Sequence, residues 1–331
     1  MTIKFDNVYI NQTSTVTGPY EAKGRLNKFF DKSYDDLYFG MKTFEQAETK
    51  SINDAIDILF RKANINKFQI DAFIGGDLSN QIAASNYAME KINTPFIGIY
   101  AACSTSTLGL ILGANLINSG ADKIVTFTSS HNNAAEKQFR YPIEYGGPKP
   151  KTTTFTSTGA AAALLSSKKE GIKIESGTIG KVVNLDIKDV YNMGAVMAPA
   201  AADTIYSHLQ DTGRTIDYYD LVLTGDLGIY GMNILKDFML NSYAIELNKY
   251  NDTGVMLYDR DKQPVYAGAS GPVCAPLVTY GYIFEQMKQK KLKKVLLVAT
   301  GALMNTTMVN QKLTIPAISH AISLEVSKWF I

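Results

Sequence analysis

The sequence predicts an α/β fold made of two related βαβ halves, and three observations carry that expectation. Short apolar runs alternate with longer amphipathic stretches, the pattern of mostly parallel strands joined by helices. Asp71–Leu78, DAFIGGDL, lines up with Asp220–Leu227, DLVLTGDL, sharing Asp, Gly, Asp and Leu. The same number of positions separates Cys103 from Ser130 as separates Cys274 from Gly301, and each interval holds a helix pattern followed by an apolar strand. Because βαβ units resemble one another by construction, the shared order of the matches argues for duplication where neither match alone would. The halves are expected at 1–167 and 168–331, joined near SSKKEGI (166–172), with sites where they meet.

Taken in order, a helix is expected with Ser51 as its cap and Asp54 three residues on, because Ile52, Ala55, Ile56, Leu59 and Phe60 share one face. Strands are expected at Ala72–Gly75, Phe96–Tyr100, Lys123–Thr128, Ala160–Leu165, Leu221–Thr224, Val255–Tyr258 and Val295–Ala299. Residues 131–159 interrupt the first half as a cap insertion. Gly-Gly-Pro and Lys-Pro-Lys mark irregular backbone there, and long structured loops more often cover a site than space elements apart. The alternative is a surface excursion packed on its own aromatics.

Composition narrows the function classes. The chain is 46% hydrophobic and 19% charged with a net charge of +2, so no global field argues for nucleic acid or a polybasic membrane anchor. No apolar run is long enough to cross a bilayer, and MTIKFDNVYINQT lacks the basic and apolar regions of a signal peptide. Two cysteines in 331 residues make no disulfide framework, which favours a reduced cytosolic setting. Membrane association is then expected to come through a partner protein. The run Lys288–Lys294, KQKKLKK, reads as a solvated helix end, with contact to anionic lipid or an acidic partner as the alternative.

Cys103 is the most informative position. The run Phe96–Ala102 ends on a small-residue turn and a helix pattern starts directly after it. The first N–H groups of that helix lack partners, so the junction favours either a thiolate or a bound carboxylate. Cys274, in GPVCAP at the corresponding junction of the second half, reads as a small buried residue.

The strand–Ala-Cys-Ser–helix unit resembles the thiolase superfamily, which includes the ketoacyl-acyl carrier protein synthases. Over nearly the whole chain, from NVYINQTSTVTGPYEAKG through GIYAACSTS, TSSHNNAAEKQFRYPIEYGGPKP, MGAVMAPAAADTI and LVLTGDLG to VATGALMNTTMVNQKLTIPAISHAI, the sequence is similar to the stage V sporulation protein AD family of spore-forming bacteria. The resemblance implies a duplicated thiolase-like fold in αβαβα layers. It also implies binding of dipicolinic acid, free or with calcium, for uptake into the developing spore. Membrane subunits of the SpoVA complex would be the partners, and the place would be peripheral, at the forespore or spore inner membrane. No cofactor is implied. Thiolase-like folds commonly dimerise through the strand ahead of the nucleophile, which implies a homodimer.

Condensing enzymes of that superfamily pair the cysteine with two residues of the second half, commonly His with His or Asn, that activate the thiol and hold an oxyanion. At those places this chain has Gly225 and Asp226, and Gly268, Ala269, Ser270 and Gly271. His131 could line a pocket but matches neither partner. His208, in AADTIYSHLQDTG, reads as a surface or interface residue, and His320, past the strand closing the second half, as structural. The chain is therefore expected to be no enzyme, with Cys103 a vestigial nucleophile. Acyl transfer on Cys103 and a scaffold with a vestigial pocket are the alternatives.

A flat dicarboxylate needs a shallow apolar slot with donors at both ends. The candidates are Cys103, Ser104, Ser129, Ser130, His131 and Ser270, with Arg140 as a bidentate donor and Phe139 and Tyr141 covering the ring. Competing readings stand beside them: Arg140 paired with Glu136 or Glu144, the serines capping a strand end, and Cys103 inert in the pocket floor. Asp226 would repel an anion, so it either meets calcium, donates a hydrogen bond when protonated, or, as the repeat with Asp77 favours, caps a Gly-Asp-Leu turn.

Overall fold

The computed structural model describes residues 1–139 and 149–327. In the first half, β1 (Thr2–Lys4) and β2 (Tyr9–Thr17) lead through α1 (Pro19–Ala22) and β3 (Lys32–Ser33) to α2 (Phe44–Ala63). There follow β4 (Ala72–Gly76), α3 (Ala83–Ile92), β5 (Phe96–Gly98), α4 (Thr105–Asn118) and β6 (Lys123–Ser130). Next come α5 (Asn132–Phe139) and, after residue 148, β7 (Phe155–Thr156) and β8 (Gly159–Ser166).

The second half repeats this plan. It runs β9 (Ile172–Ile179), α6 (Met193–Thr212), β10 (Leu221–Gly225), α7 (Gly228–Tyr243) and β11 (Tyr250–Asp252). After α8 (Thr253–Leu257) and β12 (Ala269–Ser270), α9 (Cys274–Pro276) passes through a π-helical stretch, Leu277–Ile283, into α10 (Phe284–Lys288). The chain closes with β13 (Lys294–Ala302), α11 (Thr306–Asn310) and β14 (Ala317–Val326).

Strand order shows the duplication directly. The strands pair as β11-β10-β13-β14-β9-β2-β8-β6-β4-β5, so the order outward from β9 matches the order outward from β2. The two halves of the sheet join where Tyr9 and Ile10 pair with Lys173 and Ile172, and where β1 pairs along β9. Helix α4 packs against β4, β6 and β8 of one half and β9, β13 and β14 of the other. That position explains its composition, TSTLGLILGANLIN, which is apolar or small all round because both faces are covered. Helices α2 and α3 cover the outer face of the first half, α6 and α7 that of the second, which completes αβαβα layers.

Several expectations need correction. The first long helix starts at Phe44 with Thr43 accepting from Gln46 N–H, and Ser51 lies inside it, its hydroxyl donating to the Glu48 carbonyl. Val255–Tyr258 is not a strand but mostly the short helix α8, since a four-residue apolar run fits either state. His208 is fully buried rather than at a surface, held between Thr178 Oγ1 at 2.7 Å and Tyr219 OH at 2.6 Å, and burial lowers its pKa to about 4. His320, structural as expected, lies on β14, a further strand set between β13 and β9 that the sequence pattern does not mark. Its Nδ1 accepts from Gly180 N–H, and burial again lowers the pKa to about 4.

Helices α6 and α7 cross in close contact at two glycines. A Cβ on Gly231 would sit 2.6 Å from the Gly194 Cα, so the backbones touch where a methyl group has no room. Gly231→Ala is expected to destabilise the fold by about 1–3 kcal/mol through overpacking, read as a lowered midpoint in thermal or urea unfolding.

Candidate functional site

Cys103 sits where the chain turns from β5 into α4. Ala102 takes a left-handed backbone, φ 47°, and Ser104 and Thr105 close the turn through bonds to the carbonyls of Ala101 and Ala102. The end of β13 presses on this elbow: a Cβ on Gly301 would lie 2.5 Å from the Ala101 oxygen and 3.2 Å from Cys103 N. Only Cys103 and Ala102 of the elbow reach the neighbouring pocket, and Ser104 is fully buried. The first turn of α4 therefore lies behind the thiol instead of lining an open carboxylate seat.

The pocket is small and half open, with a cavity volume of about 60 Å³. Leu78, Phe139, Met193, Met197, Ala302 and Met304 give it apolar walls. Tyr100, Thr156 and Ser270 add hydroxyls, and Glu136 stands at its edge in an ion pair with Lys149 at 2.7 Å. Both halves contribute, with the first supplying Cys103, Phe139 and Thr156 and the second Met193, Ser270 and Ala302.

Behind Cys103 and Gly271 lies Asp226, 1% exposed. Its Oδ2 accepts from Gly271 N–H at 3.1 Å, its Oδ1 lies 2.9 Å from Thr300 Oγ1, and it is hydrogen-bonded to Cys103. Burial, outweighing those bonds, raises the Asp226 pKa to about 7. Burial, reinforced by Asp226, pushes the Cys103 thiol well above its ordinary value. The junction thus disfavours the thiolate that the helix start alone would stabilise.

The turn reading separates the two repeated aspartates. Asp77 does cap its turn, accepting from the N–H groups of Ser79 at 2.7 Å and Ser85 at 2.8 Å. In the second half Asp252 takes that task instead, accepting from Leu227 N–H at 3.0 Å and Gly228 N–H at 2.9 Å. Asp226 is left facing the site.

Of the residues singled out from sequence, the structure brings Cys103, Phe139 and Ser270 to one pocket with Asp226 behind them. Ser129 and Ser130 are buried off its walls, donating to Glu48 Oε1 at 2.8 Å and to the Ser157 carbonyl at 2.7 Å. His131 stacks on Phe44, accepts from Asn133 N–H at Nδ1 and so donates through Nε2 to the Leu37 carbonyl at 2.8 Å. Arg140 and Tyr141 lie outside the described residues. The methionines of the second half, Met193, Met197 and Met304, gave no sequence signal, because only docking of the halves turns them toward Cys103. Cys274 is fully buried, 3.6 Å from Thr253 Oγ1. Among the described residues no group of three or more His, Cys, Asp or Glu could hold a metal ion, and no helix is long and apolar enough to cross a membrane.

Comparison with known proteins places this geometry. A family-wide sequence profile, Stage V sporulation protein AD (SpoVAD), matches residues 1–325. The chain belongs to the stage V sporulation protein AD family. It is 44% identical over 319 residues to the stage V sporulation protein AD of Bacillus subtilis (strain 168), covering 96% of this chain and 94% of that protein. Among solved structures, a variant of OleA from Xanthomonas campestris superposes with a TM-score of 0.62 at 13% identity, over 98% of this chain and 99% of that one. A cerulenin-bound OleA gives 0.61 at 15% identity, over 97% and 98%. At that identity the likeness shows the thiolase-like fold, so this SpoVAD family member keeps the architecture of OleA.

Proposed function

We propose that this chain binds dipicolinate, free or as its calcium chelate, without turning it over, and serves its uptake into the developing spore. The observation that carries the reading is the pocket at the junction of the halves, where burial, reinforced by Asp226, disfavours the thiolate of Cys103. Membership of a sporulation family supports the biological setting. Apolar walls suit a flat ring, and the hydroxyl-bearing Tyr100, Thr156 and Ser270 suit its carboxylates, with Lys149 near the edge through Glu136. Arg140, Phe139 and Tyr141 are part of the proposed ring and carboxylate contacts. The same proposal places the chain peripherally at the forespore inner membrane, with membrane subunits of the SpoVA complex as partners. β5, ahead of Cys103, is the outer strand of its sheet with Ile97 exposed, and a homodimer across that edge belongs with it.

Titration calorimetry tests the reading. Dipicolinate is expected to bind saturably at one site per chain, and Ala302→Phe, which fills the apolar wall, is expected to weaken binding at least about tenfold while the protein stays folded. No heat at millimolar dipicolinate, with and without calcium, would sink it.

A further inference from the structure

Asp226 presents a question of hydrogen counting. Thr300 Oγ1 has one hydrogen, yet both the Gly225 carbonyl and Asp226 Oδ1 lie within hydrogen-bond reach of it. When Thr300 donates to Gly225, its contact with Asp226 is a bond only if Oδ1 itself carries a hydrogen. The other carboxylate oxygen accepts from Gly271 N–H, so one oxygen acts as acceptor and the other is placed as a donor. The surroundings agree. Among the described residues, the titratable groups bearing on Asp226 include Cys103 ahead of α4, Asp252 at the end of β11 and Cys274 at the start of α9, none of them a cation. The remaining polar neighbours are the hydroxyls of Thr253 on α8 and Thr300 on β13.

Cys103 and Gly271, both on the pocket wall, are each hydrogen-bonded to this carboxyl. We propose that Asp226 is the proton site of the pocket: a carboxylate ligand is held there only while Asp226 keeps its proton, so ligand and proton are taken up together above neutral pH. The inference rests on the binding reading above and adds its coupling to pH. The physical reason is reciprocal. A charged Asp226 repels an anion across Cys103, and a bound anion raises the proton affinity of Asp226 by the same factor. Because burial already raises that carboxyl to about 7, the free site loses its proton just where the liganded site still keeps it. Asn at this position matches the protonated pattern, with an amide N–H toward Thr300 and its oxygen toward Gly271.

The experiment titrates metal-free dipicolinate into the full chain at pH 8 in two buffers of different ionisation enthalpy. Uptake approaching one proton per ligand is expected, with affinity falling up to about tenfold per pH unit above pH 8. In Asp226→Asn, uptake is expected to vanish and the affinity to become flat with pH. Dipicolinate that binds the native chain with no proton uptake overturns this proposal and leaves the binding reading standing, as does an Asp226→Asn variant that keeps the native pH dependence. No binding at any pH overturns both.

Discussion

Asp226→Asn is expected to make the protein more stable than the native chain at pH 8 while costing little at pH 4. The sign follows from the carboxyl's raised pKa, about 7 against an ordinary 3.8. Between those values the folded chain holds a proton that the unfolded chain has released, so native stability falls as pH rises through this window and levels off above pH 7. The loss is on the order of 4 kcal/mol for a fully buried group, and asparagine does not suffer it. His208 and His320, both lowered to about 4, work in the opposite sense, gaining stability as pH rises from about 4 to 6.5. Asp252, raised to about 6, works with Asp226. Only the difference between variant and native chain isolates the one group, so urea unfolding of both proteins from pH 4 to pH 8 is the measurement. A difference that stays constant with pH would mean that Asp226 is charged throughout.

Cys103 is expected to be a poor nucleophile in the folded protein. Burial and the neighbouring carboxyl hold its thiol well above the usual value, and the thiolate is the reactive form. Alkylation by a small neutral reagent at pH 8 should run at least about tenfold slower than for a free cysteine. Asp226→Asn should speed it by removing the nearby anion, and Cys274, fully buried, should stay unlabelled in both. Acyl-coenzyme A is expected to leave no adduct by intact mass. A Cys103-dependent acyl species would instead restore the acyl-transfer reading.

What the sequence revealed follows from where its information is local. β4, β10 and β13 are mostly apolar runs because both faces of their sheet are covered, and with β6, KIVTFTSS, they were legible as strands. β2, YINQTSTVT, and β14, AISHAISLEV, carry Thr, Ser and His through the core, where hydroxyls such as Ser14 and Ser319 bond to backbone carbonyls of neighbouring elements, and that satisfaction leaves no trace in the sequence. His208 misled for a similar reason: its helix reads as amphipathic, but Tyr219 and Thr178 take up both ring nitrogens inside. At the site, Cys103 was visible from its local strand–helix signature. The approach of Asp226 depends on how two halves of the chain dock, and the serines around Ser129 were spent on buried partners such as Glu48 that lie far off in sequence.

The mirrored strand order has one more consequence. β2, β8, β6, β4 and β5 complete their pairing inside residues 9–166, and β9, β14, β13, β10 and β11 do so inside 172–326. Across the boundary, among the described residues, the strand pairings are the β2–β9 contact, the β1–β9 clasp and the small β7–β12 ladder. A chain cleaved within 167–171 would thus keep each set of pairings whole in its own fragment, yet neither fragment alone carries both Cys103 and Asp226. Ligand capture by this fold is consequently a readout of assembly: mixing the fragments should recover a pocket that neither one owns.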